Sequence, residues 1–152
     1  MERLFSAQTE TDEQHLYRVV SDLTTYPQWL ELVHHAEAVD PSPEAPDEVA
    51  WSITLRARIG PLARSKRLRM VRTVHDGSRV RFERRELDDR DHSAWIMAAE
   101  VAPAEEGPWR SQVTLELCYA GSLWSGLLDG VLQAAADDAT DRLQAYVATA
   151  SA

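Results

Sequence analysis

The stretches "LRMVRTV" (68–74) and "RVRFERREL" (79–87) each set charged residues into an otherwise apolar alternation. Leu68, Met70 and Val74 share one side of an extended chain with Arg72. Val80 and Phe82 likewise share a side with Arg84 and Glu86, because residues two apart on a strand point the same way. Arginine stays charged and offers a fork of donors, so Arg72 facing inward is a candidate catalytic residue that could hold a ligand carbonyl or stabilise an enolate. A buried guanidinium without a partner costs roughly several kcal/mol, so Glu86 or a ligand oxygen is expected beside it. The alternative is that these side chains sit at a sheet rim and reach out to water.

Other reactive residue types are less favourably spaced. His34 and His35 are adjacent, so on a strand they point to opposite faces and do not easily share a metal. With His15, His75 and His92 they form no HExxH-like spacing, and no metal site is expected. Asp138 and Asp141 are three apart beside Asp137, but Arg142 is next to them, which reads as a solvated helix face. Cys118 alternates with Leu117 and Tyr119, placing it on the outer face with no neighbouring base. Gly126 and Gly130 have a GxxxG spacing that carries little weight outside a membrane. No Walker loop, dinucleotide-binding glycine fingerprint or Gly-x-Ser-x-Gly elbow occurs, so no cofactor is expected.

These residues need elements to position them. Arg3 to Thr9 alternates as an edge-type strand. Thr11 and Gln14 have capping-box spacing ahead of a short helix with Leu16, Val19 and Val20 on one face, ending near Asp22. Pro27 keeps Tyr26 out of helical geometry, so a break or a fresh short helix is expected there. Val33 to Val39 is a strand, and "DPSPEAPDE" is a turn-rich connection. Val49, Trp51, Ile53, Leu55, Ala57 and Ile59 then share a strand face, which Gly60-Pro61 ends. "HDGS" is a hairpin turn between the strands that carry Arg72 and Arg84. Trp95, Met97, Ala99 and Val101 share a face in the next strand, and Val113, Leu115, Leu117 and Tyr119 in the last. From Ser122, a suitable N-cap, to about Ala148 the period changes to three and four, through Trp124, Leu128, Val131, Leu132, Ala135, Ala139, Leu143 and Tyr146. The chain thus forms one α+β domain spanning residues 1–152, with a seven-stranded antiparallel sheet and one long helix to cover it. One helix lined at its middle by Ala134, Ala135, Ala136 and Ala139 cannot fill the hollow of such a sheet, and the shortfall is expected to be a cavity.

The order of elements, and above all the run "VVSDLTTYPQW" at Val19 to Trp29 with its "D…YP.W" pattern, resembles the SRPBCC or START-like superfamily. That superfamily includes the birch-pollen-allergen-like proteins and the polyketide cyclase/dehydrase family. The resemblance covers nearly the whole chain. It implies the helix-grip (START/Bet v 1-like) fold, a seven-stranded curved antiparallel sheet around a long C-terminal helix with two short helices after strand 1. In such a fold Trp29 would pack under the C-terminal helix and Tyr26 would face the cavity entrance, or both would be plain core. Alignment with aromatase/cyclases of the superfamily on the shared "GSR" turn sets their functional arginine at Arg72. Their neighbouring serine falls at Met70 and their cavity tyrosine at Val33, while the aromatic before proline is kept as Tyr26.

A net charge of −9 opposes non-specific binding to nucleic acid or to an anionic membrane. No apolar run is long enough for membrane insertion, and "MERLFSAQTE" lacks a signal peptide's apolar core. A single cysteine excludes an internal disulfide framework and fits a cytoplasmic protein. The expected partner is a hydrophobic small molecule bound between sheet and helix, touching Tyr26, Trp51, Ile53, Leu55, Met70, Arg72, Phe82, Arg84, Glu86, Trp95, Met97, Leu115, Leu117, Tyr119, Leu128 and Val131. The alternatives are a polyketide aromatase/cyclase or dehydratase working through Arg72, and a quinone- or lipid-binding accessory protein. The residues leave the oligomeric state and the ligand's identity open.

Overall fold

The computed structural model describes residues 2–59, 61–120 and 125–150; of residues 59, 125–129, 131, 132 and 150 it describes the backbone alone. The chain runs β1 (Glu2–Thr9), α1 (Glu13–Val20), a 3₁₀ helix (Leu23–Gln28), β2 (Val33–Val39), β3 (Ala50–Ile59), β4 (Leu62–His75), β5 (Arg79–Arg84), β6 (Trp95–Pro103), β7 (Ser111–Tyr119) and α2 (Ser125–Ala150). All seven strands form one antiparallel sheet in the order β1-β7-β6-β5-β4-β3-β2. Every neighbour from β2 to β7 is therefore a sequential hairpin partner. The two short helices carry the chain from one edge strand, β1, to the other, β2. Helix α2 then lies over the sheet's inner face, touching β1 on one side and β3 on the other.

The cap of α1 differs from the capping box expected of Thr11 and Gln14. Asp12 is the N-cap, its carboxylate accepting from the His15 amide at 2.8 Å. Aspartate is at least as good a cap as threonine, and its charge favours the helix N-terminus. The 3₁₀ helix is capped the same way by Asp22, which accepts from the Thr24 amide at 3.0 Å. In α2 the buried residues Ala135, Ala139, Leu143 and Val147 recur every four positions, so one narrow stripe meets the sheet. The expected start at Ser122 and the residue Trp124 lie outside the described residues.

Three differences from the expected strands bear on the site. Val49 precedes β3 and is 40% exposed instead of heading its inner face. Strand β4 begins at Leu62, six residues before the alternation at Leu68 suggested, where Leu62 pairs with Ile59 at the end of β3. The charged "ARSKR" continues that pairing, so its residues gain cross-strand partners without an apolar pattern to announce them. A β-bulge then shifts the register between Arg72 and Val74. The extra residue reverses the facing of the rest of the strand. Val74 leaves the inner face assigned to it and sits opposite Arg81, while His75 turns inward to stack on Tyr17 at 5.4 Å.

Candidate ligand-binding face

Trp51, Ile53, Leu55, Leu68, Met70, Phe82, Trp95, Met97, Leu115, Leu117 and Tyr119 are all buried in one apolar cluster with the inward stripe of α2. The register explains their assembly. Trp51 pairs with Met70 and Met70 with Arg84. Phe82 pairs with Met97, so two residues further along Arg84 comes against Trp95, which pairs with Tyr119. One row across the floor therefore reads Trp51, Met70, Arg84, Trp95, Tyr119. Aromatic rings meet edge-on between Trp51 and Phe82 (5.4 Å) and tilted between Trp95 and Tyr119 (4.6 Å). Leu128 and Val131 belong to the part of α2 whose side chains are not described.

Beside this face, Ala134 and Ala135 of α2 stand across from Leu32 and Ala57, and a cleft of about 380 Å³ opens between them. Glu31, His34, Arg56 and Arg58 form its polar margin.

Each charged residue proposed from the sequence has a definite partner. Arg72 does not reach Glu86. Its Nη1 donates to the Ser21 carbonyl at 3.0 Å, and its guanidinium lies 5.6 Å from the centre of the Trp51 ring. Ser21 is the C-cap of α1, so Arg72 satisfies one of the carbonyls a helix end leaves without a partner. Glu86 instead accepts from Arg84 Nε at 3.0 Å and from the Arg69 amide at 3.2 Å. Arg84, whose side chain is 6% exposed, also donates from Nη1 to Ser93 O and from Nη2 to His92 Nδ1, both at 3.2 Å. Since Arg84 can only donate, His92 Nδ1 accepts, and the proton on Nε2 goes to Asp88 at 2.9 Å.

Tyr26 lies in the core and not at an entrance. It is 1% exposed, its ring packs on Trp29 at 4.4 Å, and its hydroxyl donates to the Val20 carbonyl at 2.8 Å. Burial pushes the phenol's pKa upward. Trp29 is fully buried and donates from Nε1 to Thr25 Oγ1 at 3.3 Å. The proline break thus serves to fold an aromatic pair back onto the end of α1.

Lys66 was not among the residues expected at the site. Its pairing with Leu55 puts it on the inner face, and its ammonium sits 5.8 Å above the Tyr119 ring. Burial, and then the Arg84 charge, lower its pKa against a smaller opposing effect from Glu86. The signal was parity: Lys66, Leu68 and Met70 are two apart, and only the unexpectedly early start of the strand concealed it. Among the described residues two buried side-chain polar atoms have no hydrogen-bond partner, His15 Nε2 and Trp95 Nε1. The second belongs to this face.

On the opposite face Cys118 donates its thiol to Glu116 at 3.1 Å, close to Glu2. Burial and then Glu116 push the thiol up to about 11, so it is protonated at neutral pH and a poor nucleophile. Asp137, Asp138 and Asp141 are exposed on α2, with Asp138 3.4 Å from Arg142. His34 and His35 are exposed as well, His35 lying 3.9 Å from Glu37.

A curved sheet gripping one long helix, with two short helices after the first strand, is the helix-grip fold of START-like proteins. The likeness to solved structures is close. A protein of Thermus thermophilus matches over 100% of both chains at TM-score 0.70 and 21% identity. A START superfamily protein of Mycobacterium smegmatis matches over 97% of each chain at TM-score 0.69 and 10% identity. The di-domain ARO/CYC BexL of the BE-7585A biosynthetic pathway matches at TM-score 0.60 and 12% identity, over 97% of this chain and 50% of that one. No protein-family model and no curated protein matches by sequence. At these identities the likeness establishes the fold, on which unrelated activities occur.

Proposed function

We propose that the protein is a cytoplasmic binder of a hydrophobic small molecule, aromatic, polyketide-like or lipid-like, held between the inner face of the sheet and α2. The observation that carries this reading is the apolar inner face under the small side chains of α2, beside which a cleft opens between Leu32, Ala57, Ala134 and Ala135, with Glu31, His34, Arg56 and Arg58 at its margin. Small-molecule sites are mostly apolar concavities of about 300–1,000 Å³ with a few polar anchors. The side-chain geometry favours binding over cyclisation. Enolate stabilisation needs a guanidinium free to meet the substrate, whereas Arg72 is held by Ser21 O and Trp51. Glu86, the carboxylate expected beside Arg72, is committed to Arg84.

Titration with Nile red, a neutral apolar fluorophore, tests the reading. Saturable binding is expected, and Ala134→Trp, which adds bulk at an exposed position of the cleft, should weaken it by roughly tenfold. Absence of saturable binding to the folded protein would refute the proposal.

A further inference from the structure

The end of the inner face formed by β4, β5, β6 and β7 carries a positive charge that its own acids do not take up. The Glu86 carboxylate is used by Arg84 Nε and by the Arg69 amide. Arg84 in turn is held by Glu86, Ser93 and His92, which take three of its five N–H groups. Lys66 makes no ion pair among the described residues, and what its ammonium meets is the face of Tyr119. An aromatic face attracts a cation but supplies no hydrogen-bond acceptor of carboxylate strength. The Trp95 indole packs on the same Tyr119 ring at 4.6 Å, and its N–H is buried without an acceptor among the described residues. A buried donor that has given up water for nothing is a standing cost, which an incoming oxygen would remove.

We propose that this end of the face takes the anionic oxygen group of an otherwise apolar ligand, with Lys66 Nζ and Trp95 Nε1 as its donors. This rests on the proposed binding of a hydrophobic small molecule and names the class of that ligand: one apolar body carrying one anionic oxygen group, a carboxylate being the simplest. Both donors border the Tyr119 ring, and one anionic group meeting both would let the body of the ligand run along the apolar row toward Met97, Phe82 and Met70. Arg84 adds a second positive charge, fixed and partly neutralised by Glu86. It strengthens the field without being a contact. The protein's net charge of −9 keeps anions off the rest of its surface, so the preference is local to this end.

The test uses two matched pairs as competitors of bound Nile red: decanoate against decan-1-ol, and 2-naphthoate against 2-naphthol. In at least one pair the carboxylate should compete roughly tenfold or more better than the neutral partner, the scale of a charged hydrogen bond. Lys66→Met should abolish that preference, read as the ratio of the two partners' competition constants against Nile red on the variant itself, and Trp95→Phe should reduce it. Lys66→Arg, which keeps the charge, should retain most of it. If Nile red binds but neither pair prefers the carboxylate, or Lys66→Met leaves the preference intact, the proposal is overturned and the binding reading survives. If Nile red does not bind, both fall together.

Discussion

Replacing Arg72 by methionine separates a structural arginine from a catalytic one. Methionine keeps the unbranched stem over Trp51 but loses the guanidinium. The lost interactions are the hydrogen bond to Ser21 O at 3.0 Å and the cation–π contact at 5.6 Å. A hydrogen bond to a charged group is worth about 1.5–3 kcal/mol, and a partly exposed cation–π contact about 0.5–1 kcal/mol. Solvent screening trims both, since Arg72 is only partly buried, and the retained stem recovers some packing. The expected destabilisation is about 2 kcal/mol, read as a shift of the urea midpoint at constant slope. Ser21 is itself 6% exposed, so water only partly replaces the missing donor. Arg72→Lys, which keeps charge but not the fork, should fall between. Nile red affinity should stay within about twofold of the parent value. Unchanged stability together with lost ligand affinity would refute this reasoning and return Arg72 to the chemistry.

Other outcomes follow from local geometry. Tyr26→Phe removes the buried hydroxyl that serves Val20 O and should cost about 1–2 kcal/mol in chemical denaturation, with little change in binding. Gly77→Ala should cost about 1–2 kcal/mol, because φ is +95° there and an added Cβ meets nothing within 4 Å, so the penalty is in the backbone. Asp76 closes the same turn by accepting from the amides of Ser78 and Arg79. Those bonds, led by Arg79's, hold its pKa down at about 2. A depressed carboxylate stabilises the fold fully above its unfolded value, near 3.9, and loses that contribution as pH falls through about 2. The melting temperature of Asp76→Ala should therefore lie below the parent's at pH 7, with the gap closing toward pH 2.

The architecture was legible because each element announces itself by period. Trp51 to Ala57, Trp95 to Val101 and Val113 to Tyr119 alternate cleanly, and a strand with one buried face cannot slip by one residue without exposing its core set. Ala135, Ala139 and Leu143 then change the period and mark the helix. What alternation could not show is where parity breaks or where a strand carries no apolar pattern. The bulge after Arg72 inserts one residue, so Val74 and His75 exchange faces with no compositional sign. The partners of charged groups were equally hidden. Glu86 was expected beside Arg72 because both share a hairpin, yet a guanidinium chooses its acceptor in three dimensions, and the end of α1 lies over Arg72 while Arg84 lies nearer Glu86.

Lys66 and Arg72 show how little residue type decides. They stand on one strand and on one face, with Leu68 and Met70 between them, and each cation lies over an aromatic ring. What separates them is the element across the way. Above Arg72 is the C-cap of α1, an eight-residue helix, and a helix that short is marginal without tertiary support. A fixed charge serving Ser21 O gives α1 an attachment to the sheet, and Tyr17 adds a second through its hydroxyl, which donates to Arg79 O at 2.8 Å. Above Lys66 the described residues offer no such acceptor, and the neighbouring Trp95 N–H is in the same position. A buried indole N–H without an acceptor is costly as structure, and beside a half-buried ammonium it is useful as a site. Arg72 therefore serves the architecture, and the proposed recognition of an anionic group falls to Lys66.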